Sequence, residues 1–287
     1  MIVDISFGVN IVEIVTSGLY PNAFDVFREY IQNACDAIDN ATDAGILQEG
    51  DELIEIKIDA DERRITIEDN GIGISAAREF VRVMCNIGNS DKTLNTDRGF
   101  RGIGRLGGLA YCKTLIFTTK KAGEKKISSL TIAAEKLRET FFSTSKYLAE
   151  QVLSANMFFS TTNADDDEID KHFFRVDMID VTDANPGLLD VFAVRDYLSF
   201  VAPVTYSPNF PLQDKIKKHA DELNFKITEY KILVNGEPLD KPYKEEVRTR
   251  MGTDKIFDVS FRDFRQMKAG LALLRQMLYY LIRGMRD

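Results

Sequence analysis

Glu29, Asn33, Asp36 and Asn40 follow one another at i, i+4, i+7 and i+11, the spacing that places four oxygen-bearing side chains on one face of a helix. Carboxylates and amide carbonyls are hard oxygen donors, suited to a divalent cation such as Mg²⁺ and to holding a water for attack on a phosphate. Taken alone, such a stripe more often describes a solvated helix face. Two further sets of residues count against that plainer reading. Asp69-Asn70-Gly71-Ile72-Gly73 follows a run of alternating apolar residues, so a carboxylate stands at a strand end, at the rim of a dry pocket, beside two glycines that let the backbone approach a ligand closely. Gly99-Phe100-Arg101-Gly102-Ile103-Gly104-Arg105 opens a stretch that also holds Gly107 and Gly108. A loop of that composition, ending in a helix N-terminus, presents free backbone N–H groups, which suit phosphate oxygens. Arg105 or Lys92 would add a cation, with a solvated lysine as the alternative for Lys92.

Several elements must position these groups. Residues 21–43 predict one helix, with Asn22 a cap and Gly45 a stop. Its apolar stripe, Phe27, Ile31, Ala34 and Ile38, runs beside the polar one, so the helix packs on one side and presents oxygen atoms from the next. Residues 53–58 and 64–68 alternate apolar and polar side chains and predict a hairpin with one buried face. A helix over 76–85, strands over 115–119, 127–133 and 173–178, and a helix over 188–200 complete the first part. Residues 164–168 form an exposed acidic loop. Pro203, Pro208 and Pro211 then punctuate the chain and place a boundary there. Beyond it, residues 225–234 predict a strand, and Asn235-Gly236-Glu237-Pro238 a tight turn.

The chain has 287 residues, 44% hydrophobic and 29% charged, which excludes a fibre, a disordered tail or a membrane bundle. Its net charge of −8 argues against a surface that binds nucleic acid throughout. Residues 241–287 nevertheless carry 11 Lys and Arg against 6 Asp and Glu, a local basic region compatible with DNA or a protein client, or with an ordinary solvated surface. Cys35, Cys85 and Cys112 share no CxxC spacing, and the histidines are His172 and His219, so no disulfide framework or zinc site is legible. The start has no signal-peptide pattern. The longest apolar stretch, 270–282, is broken by Arg275 and falls short of the ~20 residues that span a bilayer. No membrane span and a cytoplasmic location are the expectation. Residues 107–114 nearly spell a P-loop, but Cys112 stands where the second glycine belongs and a strand follows where a helix is required.

In the order helix with Glu-x3-Asn-x2-Asp-Ala, strand with Asp-x-Gly-x-Gly and loop with Gly-x2-Gly-x-Gly, these motifs resemble those of the GHKL or Bergerat-fold ATPases: gyrase, the 90-kDa heat-shock chaperones, histidine kinases and MutL-type repair proteins. The resemblance covers roughly residues 20–135, and residues 135–200 are compatible with it. It implies an α+β fold, a two-layer α/β sandwich of the Bergerat type followed by the start of a second α/β domain. The division it implies is an ATP-binding domain over 1–202, with a lid over about 86–108, and a partial transducer-like domain over 203–287. The lid motif Ile87-Gly88-Asn89-Ser90-Asp91-Lys92 is more similar to those of MORC-type and topoisomerase-type members than to those of the chaperones.

The same resemblance implies ATP/ADP and Mg²⁺ as cofactors and assigns roles. Glu29 is the catalytic base on a water facing the γ-phosphate, a function worth ~10²- to 10⁴-fold. Asn33 is the Mg²⁺ ligand. Asp69, Gly71 and Gly73 take adenine, and Gly99, Gly102, Ile103, Gly104 and Arg105 the phosphates. Asp36 either orients Asn33 or is simply solvated, and no choice among Ser128, Ser129 and Thr131 as a hydroxyl near adenine is possible. The implied activity is hydrolysis of ATP to ADP and phosphate, driving lid closure and ATP-dependent homodimerisation or domain movement. A non-catalytic nucleotide-gated module for protein or DNA is the alternative. A histidine-kinase-like phosphotransferase fits less well, because those domains usually lack the Glu and the Asp-Ala pair found here at 29 and 36–37.

Overall fold

The structure, a computed structural model, describes residues 6–7, 22–87, 104–143, 149–225 and 227–241. The described residues fall into two compact units, one running to residue 211 and resuming at 227–241, the other holding residues 212–225.

The first unit is built on a mixed eight-stranded sheet. Its strands are β2 (Leu53–Asp59), β3 (Arg64–Asp69), β5 (Cys112–Lys120), β6 (Lys126–Ile132), β7 (Met157–Asn163), β8 (Phe173–Val181), β9 (Lys231–Val234) and β10 (Glu237–Pro238). The order across the sheet is β10-β9-β2-β3-β8-β5-β6-β7. A separate two-residue parallel ladder joins β1 (Ser6–Phe7) to β4 (Asn86–Ile87). The expected hairpin is present, with Ile56 opposite Ile67 and Asp59 opposite Arg64. The period of two sends Ile54, Ile56, Ile58, Ile65 and Ile67 to one face, where all are buried. Phe117, Leu130, Val176 and Met178 extend that apolar face across the sheet. Each such side chain contributes about 1.5–3 kcal/mol by leaving water.

Helices cover this face. The longest is α1 (Asp25–Asp43), whose buried side comprises Val26, Phe27, Tyr30, Ile31, Ala34, Cys35, Ile38 and Ala41. The chain enters it through Asn22, whose Oδ1 accepts the Phe24 N–H at 3.1 Å, and leaves it through Gly45 at φ +68, a left-handed stop that glycine takes without steric cost. Tyrosine hydroxyls tie α1 to its surroundings: Tyr197, on α5 (Val191–Val201), donates to Asp25, and Tyr230 donates to Asp39 at 2.5 Å. The remaining helices of this unit are α2 (Arg78–Cys85), α3 (Ala134–Ser143) and α4 (Ala149–Asn156). This is the two-layer α/β sandwich expected from sequence.

Residues beyond the proline-rich stretch return to the same sheet. β9 pairs parallel to β2, with Ile54 opposite Ile232 and Ile56 opposite Val234. Asn235 then hydrogen-bonds both backbone groups of Ile58, at 2.7 and 3.0 Å. The expected boundary at 202/203 therefore meets a sheet that crosses it. A parallel pairing between strands about 175 residues apart has no local sequence signal, because its contacts are made only after collapse. The second unit contains α6 (Gln213–Glu222).

Candidate functional site

The predicted site residues that are described gather around α1. Gly71 packs on it so closely that a methyl group there would lie 2.6 Å from the Ala37 backbone carbon and 2.8 Å from Asp69 Oδ1. The Ile72 N–H donates to the Ala37 carbonyl at 2.9 Å. Eight residues earlier on the helix, Glu29 lies against Gly104, where an added Cβ would overlap its Oε2. At 1.5 Å per residue, Glu29 and Ala37 are about 12 Å apart along the axis, with Asn33 between them. One helix thus touches the Asp-Gly strand end with one half and the glycine-rich turn with the other.

At the strand end, Asp69 is 5% exposed. Its Oδ1 accepts the Gly71 N–H at 2.9 Å. Burial raises its pKa from 3.8 to about 8; neighbouring Glu68 pushes the same way, and backbone N–H donation from Gly71 and Phe174 opposes it. Gly73 adopts φ +65 and presses on the Lys120 carbonyl, whose carbon would lie 2.8 Å from a Cβ, so both its conformation and its surroundings demand glycine. The loop that follows is held by the β5–β6 hairpin. Ile74 N–H donates to Thr119 Oγ1 at 3.0 Å, Ala76 N–H to Glu124 Oε2 at 2.8 Å, and Ala77 N–H to Ser128 Oγ at 3.1 Å. The Ser75 hydroxyl also donates to Glu124. Of the three hydroxyls left open by sequence, Ser128 supports this loop, and Ser129 faces Thr118 at 3.1 Å.

At the other end, residues Gly104–Ala110 form a 3₁₀ turn rather than the N-terminus of an α-helix. The Arg105 Nη1 donates to the Val83 carbonyl on α2 at 2.8 Å, and burial lowers its pKa to about 10, with the nearby Cys85 opposing. The Arg105 cation is therefore engaged with α2. Glu29 pairs with Arg28 at 3.3 Å, and Arg28 with Asp25 at 3.2 Å. Asn33 and Asp36 are half-buried on the same helix. Gly99, Gly102 and Ile103, Lys92, and the lid residues 88–103 lie outside the described residues. Strand β5 starts at Cys112, one residue beyond the turn, which removes the P-loop reading, and all three cysteines are buried and outside any disulfide.

Residues 28–166 match the family model described as "Histidine kinase-, DNA gyrase B-, and HSP90-like ATPase". Over this range the chain is similar to the GHKL-type ATPases. Curated relatives agree. The chain is 32% identical over 133 residues to the chaperone protein HtpG of Anaplasma marginale, covering 40% of this chain and 21% of that one. It is 33% identical over 132 residues to HtpG of Psychrobacter cryohalolentis, covering 40% and 20%, and 37% identical over 89 residues to HtpG of Fusobacterium nucleatum, covering 29% and 14%. The chain matches about a fifth or less of the length of these relatives.

The site is also braced by residues that the motifs did not reveal. His172, on the approach to β8, sits 2.8 Å from the Gly71 carbonyl through Nδ1. A carbonyl only accepts, so Nδ1 carries the proton and Nε2 is the ring's acceptor when neutral. Lys120, 1% exposed, donates from Nζ to the Ile169 and Lys171 carbonyls at 2.7 Å each. Tyr30, 3% exposed, bonds the glycine-rich turn. Only Tyr30 had a sequence signal: a tyrosine beside an apolar helix stripe requires a partner for its hydroxyl once buried. No helix among the described residues is long and apolar enough to cross a membrane.

Proposed function

We propose that this chain binds and hydrolyses ATP with Mg²⁺, using the two ends of α1. The observation that carries the reading is the pair of close approaches on that helix, Gly71 to Ala37 and Gly104 to Glu29. They bring a base-reading carboxylate and a water-activating carboxylate to the ends of a span that suits an extended nucleoside triphosphate. Asp69 accepts a hydrogen bond from the exocyclic amine of adenine, and Gly71 and Gly73 keep side chains off the face of the base. The backbone N–H groups of residues 99–105 take the phosphates. Asn33, half-buried between the two ends, offers an amide oxygen of the hard type Mg²⁺ prefers, with phosphate oxygens and waters completing the shell. Bound Mg²⁺ would supply charge neutralisation at the phosphates.

Glu29 carries the proton chemistry. Its carboxylate takes a proton from the water that attacks the γ-phosphorus while the bond to the β-bridging oxygen breaks, giving ADP and inorganic phosphate. Arg28, 3.3 Å from Glu29, orients the carboxylate. Lid closure over about residues 86–108, ATP-dependent homodimerisation, a chaperone-like or DNA-associated role, and a transducer-like continuation from 203 onward belong to this proposal, supported by the likeness to HtpG and the gyrase-type family. The phosphotransfer reading is disfavoured, since histidine-kinase domains usually lack the Glu and the Asp-Ala pair found here at 29 and 36–37.

The test is ATP turnover with Mg²⁺ by the chain and by Glu29→Ala at several protein concentrations. Turnover that rises with concentration and disappears in Glu29→Ala is expected. Unchanged turnover in Glu29→Ala refutes the base assignment, and absence of nucleotide binding refutes the whole proposal.

A further inference from the structure

Glu29 is not the only residue of α1 that meets the glycine-rich turn. Tyr30, next in the chain, donates its hydroxyl to the Arg105 carbonyl at 3.0 Å and accepts the Gly108 N–H at 3.0 Å. A single oxygen thus holds two points of the turn Gly104–Ala110, while Glu29 touches its first residue. The fit is tight: a methyl group on Gly108 would lie 2.6 Å from the Tyr30 hydroxyl. Packing alone would be served by phenylalanine, so what the hydroxyl adds is the pair of bonds.

We propose that Tyr30 is a positioning residue for the phosphate end of the site, fixing the turn at a set distance from the Glu29 carboxylate. The inference rests on the ATPase reading above. Glu29 and Tyr30 leave consecutive residues of one buried helix, so the backbone segment that carries the base also carries the clamp. When the clamp is made, the turn cannot drift from the base without breaking two hydrogen bonds inside a dry interior. Reaction rates are sensitive to such drift, since displacement by about 1 Å lowers turnover as much as a hundredfold.

The experiment uses the full chain in four forms: wild type, Tyr30→Phe, Gly108→Ala and the double variant. For each, kcat and KM for Mg·ATP, affinity for ADP, and the denaturation midpoint are measured. Tyr30→Phe is expected to lose about tenfold or more in kcat, with KM and ADP affinity held within about twofold. Gly108→Ala is expected to lower the midpoint. The double variant, lacking the oxygen that the methyl overlaps but keeping Leu115 Cδ1 3.0 Å from it, is expected to recover part of the midpoint but not kcat. A purely structural tyrosine would move the midpoint and leave kcat per folded molecule intact.

Wild-type kcat in Tyr30→Phe, or recovery of kcat together with stability in the double variant, overturns the proposal. Should the single variants not fold, hydrogen exchange in the wild type decides: a slowly exchanging Gly108 amide is expected, and a rapidly exchanging one removes the clamp. A wild type without turnover defeats the ATPase reading and this inference with it. A wild type that turns over beside an unaffected Tyr30→Phe defeats only the role of Tyr30.

Discussion

Nucleotide binding at Asp69 is expected to release a proton. With the pocket empty, burial raises the carboxyl pKa to about 8, so near neutral pH most molecules carry it protonated. Accepting a hydrogen bond from the adenine amine favours the ionised form, and binding pulls the proton off. For a group of this pKa, affinity for Mg·ADP rises about ninetyfold between about pH 6 and pH 9, following the ionised fraction. Calorimetry near pH 7.5 in two buffers of different ionisation enthalpy then reads release of about 0.8 proton per nucleotide.

The same shift acts on the empty fold. The folded-state pKa lies above the ordinary value of 3.8, so the contribution to stability is fully present below about pH 4. It is lost as pH rises through about 8, by at most about 6 kcal/mol at 1.36 kcal/mol per pKa unit. Asp69→Asn, an uncharged isostere, is expected to flatten that slope in denaturant titrations and to abolish nucleotide binding. An affinity independent of pH, with no proton release, would refute the assignment of an ionised Asp69 to the base.

Three further outcomes are expected. Gly73→Ala is expected to cost about 3 kcal/mol or more, since it combines a left-handed φ with a Cβ pressed onto the Lys120 carbonyl; a denaturant midpoint near that of the wild type would contradict the close approach. Gly104→Ala pushes a methyl into the Glu29 carboxylate and is expected to lower ATP turnover about tenfold or more while ADP still binds, so a normal kcat would separate Glu29 from the turn. Cys85 and Cys112, whose thiols burial pushes up to about 11 and about 12, are expected to resist thiol reagents near pH 8 until the chain unfolds; rapid labelling of the native protein would show the core to be open.

Much of the site was legible because it is local. The polar stripe of α1 follows from a period of 3.6, and the hairpin that delivers Asp69 follows from a period of two closed by a short polar turn; both depend on neighbours along the chain. The order of the motifs, with no geometry at all, was enough to suggest the family. Where the N-terminus of an α-helix was expected after the glycine-rich loop, the chain forms a 3₁₀ turn, and its backbone is fastened by the hydroxyl of Tyr30, a residue distant in the chain. The return of β9 to the sheet was missed for a related reason, since it depends on pairing with a strand far away in sequence.

What the sequence alone determined, then, are the residue types and their faces: Glu29 and Asn33 on one side of a helix, Asp69 at a strand end, glycines where backbones meet. What only the tertiary structure decided is what those residues experience. The rise in the Asp69 pKa comes from exclusion of water by the packed sheet and helix, the engagement of Arg105 from its proximity to the end of α2, and the link of His172 to Gly71 from the side-by-side placement of β3 and β8. Burial and dielectric environment are properties of the assembled core, made by residues distant in the chain, and no window of sequence contains them.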